Sequence, residues 1–138
     1  MRAILDANVV VSAVLTPGGP AADLIRATAT GAFEFLTCGQ LVTEVSQVLM
    51  RKKFEGVITP EERRAILALL VNRARMVPDL PPDGTEQVAD PKDAYLITLA
   101  REWRAALVTG DRHLLDLPGP TGIMSPRAFL RLLTPPGA

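Results

Sequence analysis

Four acidic residues from separated parts of the chain, Asp6, Glu44, Asp93 and Asp111, stand where their carboxylates can meet. Asp6 directly follows the apolar run Ala3-Ile4-Leu5, and Asp111 follows Leu107-Val108-Thr109 after one glycine, whose freedom allows a sharp turn. An acid placed at the end of a buried strand is costly unless something compensates it. At about 100° per residue, Glu44 falls roughly 40° from Val48, on the border of an apolar helical stripe. The same count puts Asp93 in the sector of Leu96 and Ala100, with Glu102 on the opposite side of that helix. All four acids are expected at one end of one sheet, with no basic neighbour placed to neutralise them.

Two carboxylates about 5 Å apart repel by roughly 3 kcal/mol at an effective dielectric near 20, so such a cluster protonates or opens unless a cation occupies it. An all-oxygen set with no cysteine or histidine beside it selects Mg²⁺ or Mn²⁺ over zinc. A water made more acidic by such an ion attacks a phosphodiester in line, while the same or a second ion stabilises the leaving oxygen. The chemistry this pattern implies is metal-assisted phosphodiester hydrolysis.

The acids also have structural readings. Asp90 suits an N-cap before Pro91, with Asp93 three residues on as its capping-box partner, which puts Asp90 in the second rank. Asp111 is equally suited to capping a short helix through Leu115, and Glu44 taken alone is ambiguous. Ser12 belongs either to the site or to the turn after the first strand.

The elements that must position these residues alternate between strand and helix. Ala3-Ile4-Leu5, Phe33-Glu34-Phe35-Leu36 and Ala106-Leu107-Val108-Thr109 read as short buried strands. Helices are expected from Ala21 to Ala29 after the Pro17-Gly18-Gly19-Pro20 turn, and from Gln40 to Arg51 on the stripe of Leu41, Val45, Val48 and Leu49. Thr59-Pro60-Glu61-Glu62 reads as an N-cap, a first-turn proline and a capping-box glutamate opening a helix to about Arg75. Residues 78–87 read as a surface loop, Asp90 opens a helix through Trp103, and Ser125-Pro126 caps a last one carrying Phe129, Leu132 and Leu133. The alternation predicts an α/β sandwich with a parallel sheet covered on both faces, one domain over residues 1–138 with a frayed tail at 134–138.

Composition narrows the function classes. With 48% hydrophobic residues but only 4% aromatics, aliphatic layers are expected to build the core and an aromatic base-stacking platform is not expected. The lone Cys38 cannot form an intrachain disulfide and reads as a small buried apolar residue, as in a reducing cytosol. No stretch reaches membrane-span length, so a soluble cytoplasmic protein is expected. Fifteen basic and fifteen acidic residues cancel, so overall charge does not decide for or against nucleic acid. Locally, Arg51-Lys52-Lys53, Arg63-Arg64 and Arg73/Arg75 either track a phosphate backbone or form solvated helix ends.

Ile4-Leu5-Asp6-Ala7-Asn8-Val9-Val10-Val11-Ser12 resembles the opening of PIN-domain proteins. Asp90-Pro91-Lys92-Asp93, Val108-Thr109-Gly110-Asp111-Arg112 and Ser125-Pro126-Arg127-Ala128-Phe129-Leu130 resemble that family's later blocks, in order, over about residues 2 to 131. The resemblance implies a Rossmann-like sheet in the order 3-2-1-4-5 and RNA cleavage with Mg²⁺ or Mn²⁺ held by Asp6, Glu44, Asp93 and Asp111. It also implies that Asn8 and Thr109 orient ligands or water, with Asp90 and Ser12 beside them in the second rank. Many relatives are VapC-like toxins of type II toxin–antitoxin pairs, inhibited by a small partner, and homodimers are common among them. The chain departs from the pattern at His113, often acidic in relatives, which puts a second metal in question, and at Lys92, where relatives often carry another acid. His113 and Lys92 read as surface residues, and Tyr95 and Trp103 as core or dimer contacts.

Three other functions compete: an RNA-processing nuclease without toxicity, a nuclease-like binding module without metal, and a phosphatase or phosphate-receiver domain. The intact acids argue against the module, and the want of a lysine after a late strand argues against the receiver.

Overall fold

The computed structural model describes residues 1–81, 93–117 and 122–133. Among them, five parallel strands form one sheet: β1 (Arg2–Leu5), β2 (Glu34–Cys38), β3 (Arg75–Val77), β4 (Ala106–Val108) and β5 (Ile123–Met124). Their order is β3-β2-β1-β4-β5, as the family resemblance implied. Seven α-helices are described: α1 (Ala7–Leu15), α2 (Pro20–Ala27), α3 (Gly39–Leu49), α4 (Pro60–Arg73), α5 (Ala94–Trp103), α6 (Arg112–Leu115) and α7 (Pro126–Leu133). No single helix among the described residues is long and apolar enough to cross a membrane.

Central β1 sets the layering. Ile4 lies between Leu36 of β2 and Leu107 of β4. Successive strand residues point to opposite faces, and Ala3, Ile4 and Leu5 are all buried, so both faces are covered. The chain moves one way across the sheet from β1 to β3 and then returns to the far side of β1. Right-handed crossovers therefore put the helices joining β1, β2 and β3 and those joining β3, β4 and β5 on different faces. Accordingly α1 packs on α2, α3 and α4, while α5 packs on β1 and β4.

Helix α1 is absent from the sequence reading. Its Val9-Val10-Val11 run is β-branched and disfavours a helix locally. Burial of all three valines against the neighbouring helices outweighs that preference. Ser12 is consequently not a turn residue: it sits inside α1, exposed, and only its carbonyl serves the helix end, accepting from the Thr16 N–H at 2.9 Å. Helix α2 ends at Ala27, followed by a 3₁₀ turn over Thr28–Thr30 rather than running to Ala29, and Gly31 leaves that turn at φ +69°, which favours glycine.

The capping box of α4 forms as read. The Glu62 N–H donates to the Thr59 hydroxyl at 3.0 Å, and the Thr59 N–H donates to the Glu62 carboxylate at 2.9 Å. The helix stops at Arg73, short of the expected Arg75, because Arg75–Val77 pairs with Leu36, Thr37 and Cys38 as β3. At the last helix the Ser125 hydroxyl accepts from the Ala128 N–H at 3.1 Å. Phe129 is then 0% exposed and meets Phe33 edge-on at 5.1 Å.

At the amino end of the strands, Glu34 accepts from Arg2 at 3.0 Å and Arg75 at 2.9 Å. Both guanidiniums lie over the Trp103 ring, at 5.8 and 4.9 Å. These contacts, with Arg64 on Glu61 at 3.5 Å and Arg73 on the Thr28 hydroxyl at 3.3 Å, engage three of the basic residues read as a possible phosphate track. Arg51, Lys52 and Lys53 remain exposed around a 3₁₀ turn.

Candidate active site

Strands β1 and β4 are neighbours whose outgoing connections run to different faces, which opens a crevice at their carboxyl ends. Asp6 enters this crevice directly after β1, and its N–H extends the ladder by donating to the Val108 carbonyl at 3.1 Å. The side chain is 5% exposed. Its Oδ1 accepts from the Val9 N–H at 2.9 Å, capping α1, and its Oδ2 accepts from the Thr109 hydroxyl. Thr109, 0% exposed, accepts in turn from the Asp111 N–H at 3.0 Å. Asp111 Oδ1 accepts from the His113 N–H at 2.9 Å and caps α6, so the capping expectation for Asp111 holds. One hydroxyl thus ties two strand ends and the two helices they launch.

The Asp6 carboxyl is held above its ordinary range. Burial is the largest cause, opposed by the bonds from Thr109 and Val9 and reinforced by the negative charges of Glu44 and Asp111. Glu44 and Asp111 therefore each act electrostatically on Asp6. Glu44, half-buried on α3, accepts at Oε2 from the Tyr95 hydroxyl at 2.5 Å. Burial first, then the Glu44 bond and charge, push the Tyr95 phenol well above its usual range, and the Asp93 charge adds to the effect. Asp93 is half-buried and immediately precedes α5.

Two hollows flank the acids. Glu44 and Tyr95 wall a groove of about 870 Å³ with Gln40, Thr43, Gln47 and Arg51. Asn8, Ser12, Gly110, Asp111 and Pro126 line a second, smaller one of about 300 Å³. Asn8 and Ser12 thus lie beside Asp111, and Thr109 contacts Asp6 directly. His113 is exposed. Asp90 and Lys92 lie outside the described residues, as does the expected capping box between Asp90 and Asp93.

A hard divalent cation fits the chemistry of this donor set. Asp6, Glu44 and Asp111 offer only oxygens, the last two each repel the first, and none joins the ion pairs seen among the described residues. The carboxylates stand apart: among the described residues no three acidic, histidine or cysteine side chains lie close enough to share one ion. Mutual repulsion favours that separation.

Sequence reasoning missed two polar contacts. Tyr95, read as a core or dimer contact, is buried as expected, but its hydroxyl ends on Glu44. A phenol on an apolar stripe needs a polar partner, and that was the available signal. Asp79, read as loop, accepts from the Gln40 N–H at 2.9 Å and so serves the start of α3 across 39 residues, which no local pattern announces. Cys38 is buried, and burial pushes its thiol up to about 11, in keeping with an inert apolar role.

Thr109→Val tests the tie between Asp6 and Asp111. The shape is kept, but a buried carboxylate loses one of its two donors and the Asp111 N–H its acceptor. A loss of about 1–3 kcal/mol is expected in urea denaturation. Native-like stability would show that the hydroxyl carries no weight.

A family described as PIN domain matches residues 2–113. No curated protein matches in sequence. The chain is similar in structure to PAE2754 from Pyrobaculum aerophilum, with a TM-score of 0.69 and 17% identity over 96% of this chain and 89% of that one. It is also similar to VapBC2 from Rickettsia felis bound to a DNA fragment from their promoter, with a TM-score of 0.62 and 13% identity over 91% of this chain and 97% of the other. At these identities the likeness concerns the fold.

Proposed function

Because the chain belongs to the PIN-domain family, we propose that it is a ribonuclease that hydrolyses RNA phosphodiesters with Mg²⁺ or Mn²⁺ held by Asp6, Glu44, Asp93 and Asp111. The observation that carries this reading is Asp6: a nearly fully buried carboxylate at the β1/β4 crevice, facing the charges of Glu44 and Asp111. A bound divalent ion supplies compensation for these charges and a water acidic enough to act as nucleophile near neutral pH.

The chain's own residues do the rest. Thr109 holds Asp6 by Oδ2, while the Val9 N–H holds Oδ1, so the carboxylate plane is fixed before any substrate arrives. The α6 start fixes Asp111 through the His113 N–H. Asn8 and Ser12, exposed beside Asp111, are placed to orient substrate or water from the smaller hollow. The polar groove beside Glu44, with Arg51 on its wall, gives an RNA strand an approach.

The test is cleavage of single-stranded RNA by the purified chain with Mg²⁺, with Mn²⁺, or with excess chelator. Cleavage with either ion and its fall to background in chelator are expected; undiminished cleavage in chelator would overturn the metal reading.

The same proposal takes the whole chain as one nuclease domain, acting in the cytoplasm as the toxin of a toxin–antitoxin pair and restrained by a small antitoxin. Family membership and the likeness in fold to VapBC2 support that role. A homodimer is proposed on family grounds. Growth arrest on expression, relieved by the product of a neighbouring small gene, is the expected outcome. RNA cleavage without arrest would assign the chain to RNA processing.

A further inference from the structure

We propose that Tyr95 is the positioning residue for Glu44: its hydroxyl anchors one carboxylate oxygen and leaves Oε1 as the atom that Glu44 offers to the groove. This rests on the assignment of Glu44 to the metal site.

The bond spans 51 residues of sequence and joins α3 to α5. Its two partners differ in freedom. Tyr95 is 4% exposed within the core, whereas Glu44 is half-buried on a groove wall. The phenol is therefore the fixed partner, and the carboxylate, otherwise free to rotate on its flexible stem, is the one held. The direction of the bond matters too. A phenol donates one hydrogen bond without carrying positive charge, so it orients the carboxylate and leaves its negative charge available. An arginine or lysine at the same point would orient and neutralise together, defeating a cation site.

A merely structural tyrosine would tie α3 to α5 and nothing more; a positioning tyrosine must also answer to the ion. Tyr95 is the only tyrosine, so protein labelled with ¹³C at tyrosine Cζ gives a single ring resonance. In RNA-free protein that resonance is expected to shift and saturate as Mg²⁺ is added. Tyr95→Phe removes one oxygen atom, and its Mn²⁺ affinity, followed by the electron paramagnetic resonance of free Mn²⁺, is expected to fall by about 10- to 100-fold. A variant that binds Mn²⁺ as tightly as the native chain, or a resonance indifferent to Mg²⁺ in a chain that binds it, overturns the inference while the nuclease reading stands. A native chain that takes up no Mn²⁺ overturns both. If Tyr95→Phe fails to fold, Glu44→Gln carries the test in the absence of ion: the Cζ resonance is expected to move, and an unmoved one overturns the proposal.

Discussion

Asp6→Asn is expected to reduce RNA cleavage by more than the 10- to 100-fold typical of losing an outer partner of a metal ligand, and at the same time to make the metal-free protein more stable at neutral pH. The two effects have one origin. In the fold, Asp6 has its carboxyl pKa raised from 3.8, chiefly by burial and further by Glu44 and Asp111. A raised carboxyl means that the folded state favours the proton. Its stabilising contribution is complete below the unfolded value and is lost as pH rises through the folded one. At neutral pH the ionised side chain is a burden that a cation relieves. Asparagine keeps an oxygen to cap α1 through the Val9 N–H, carries no charge, and cannot hold the ion in its place. Thermal melts in chelator between about pH 4 and 8 check the sign. The native chain should lose stability across that interval and recover it with Mg²⁺, and the variant should do neither. A variant less stable than the native chain at neutral pH would mean that Asp6 is compensated within the fold, and the case for an ion would fail with it.

The second large effect lies in the core. Phe129→Ala should cost about 3–5 kcal/mol, because the ring is 0% exposed and fills the space against Phe33, where α7 closes on α2. For a chain of this size the melting temperature should fall by roughly 10–20 °C. Leu132→Ala, on the same helix but 54% exposed, should stay within about 0.5 kcal/mol. Equal losses in the two variants would mean that helix propensity, not the buried ring, decides how α7 docks. Since Pro126 at the start of α7 lines the hollow beside Asp111, loosening this helix should also reach the site, read as lower activity in protein that is still folded.

What the sequence disclosed follows from how local each signal is. Strands β1, β2 and β4 are short, largely apolar runs bounded by glycine or polar residues, and the box at Thr59 and Glu62 is a four-residue pattern, so both are visible without tertiary context. Helix α1 was hidden because three consecutive valines argue for a strand, and only their burial among other helices reverses that preference. Strand β3 was hidden because Arg75 and Met76 are exposed, leaving Val77 as its single buried residue, and β5 is too short, at two residues, to show a period. In the site, Asp6 and Asp111 could be read from their places after strands, and Glu44 from its angle to the apolar stripe. The bonds that orient them could not. The Tyr95–Glu44 and Asp79–Gln40 contacts each depend on how distant segments are docked, and neither residue's immediate neighbours carry the information.

Helix α5 begins with the chain's sole tyrosine at its second position and ends on its sole tryptophan, separated by about 12 Å of helical rise. Tyr95 meets Glu44 toward the carboxyl end of the sheet; Trp103 lies under the two guanidiniums at the other end. The molecule therefore carries one native chromophore at each pole, both mounted on the same rod. Ultraviolet signals from tyrosine will register events at the crevice, while indole fluorescence will register detachment of the arginine-clamped rim. Comparing the two during denaturation reveals whether the poles come apart together or in succession.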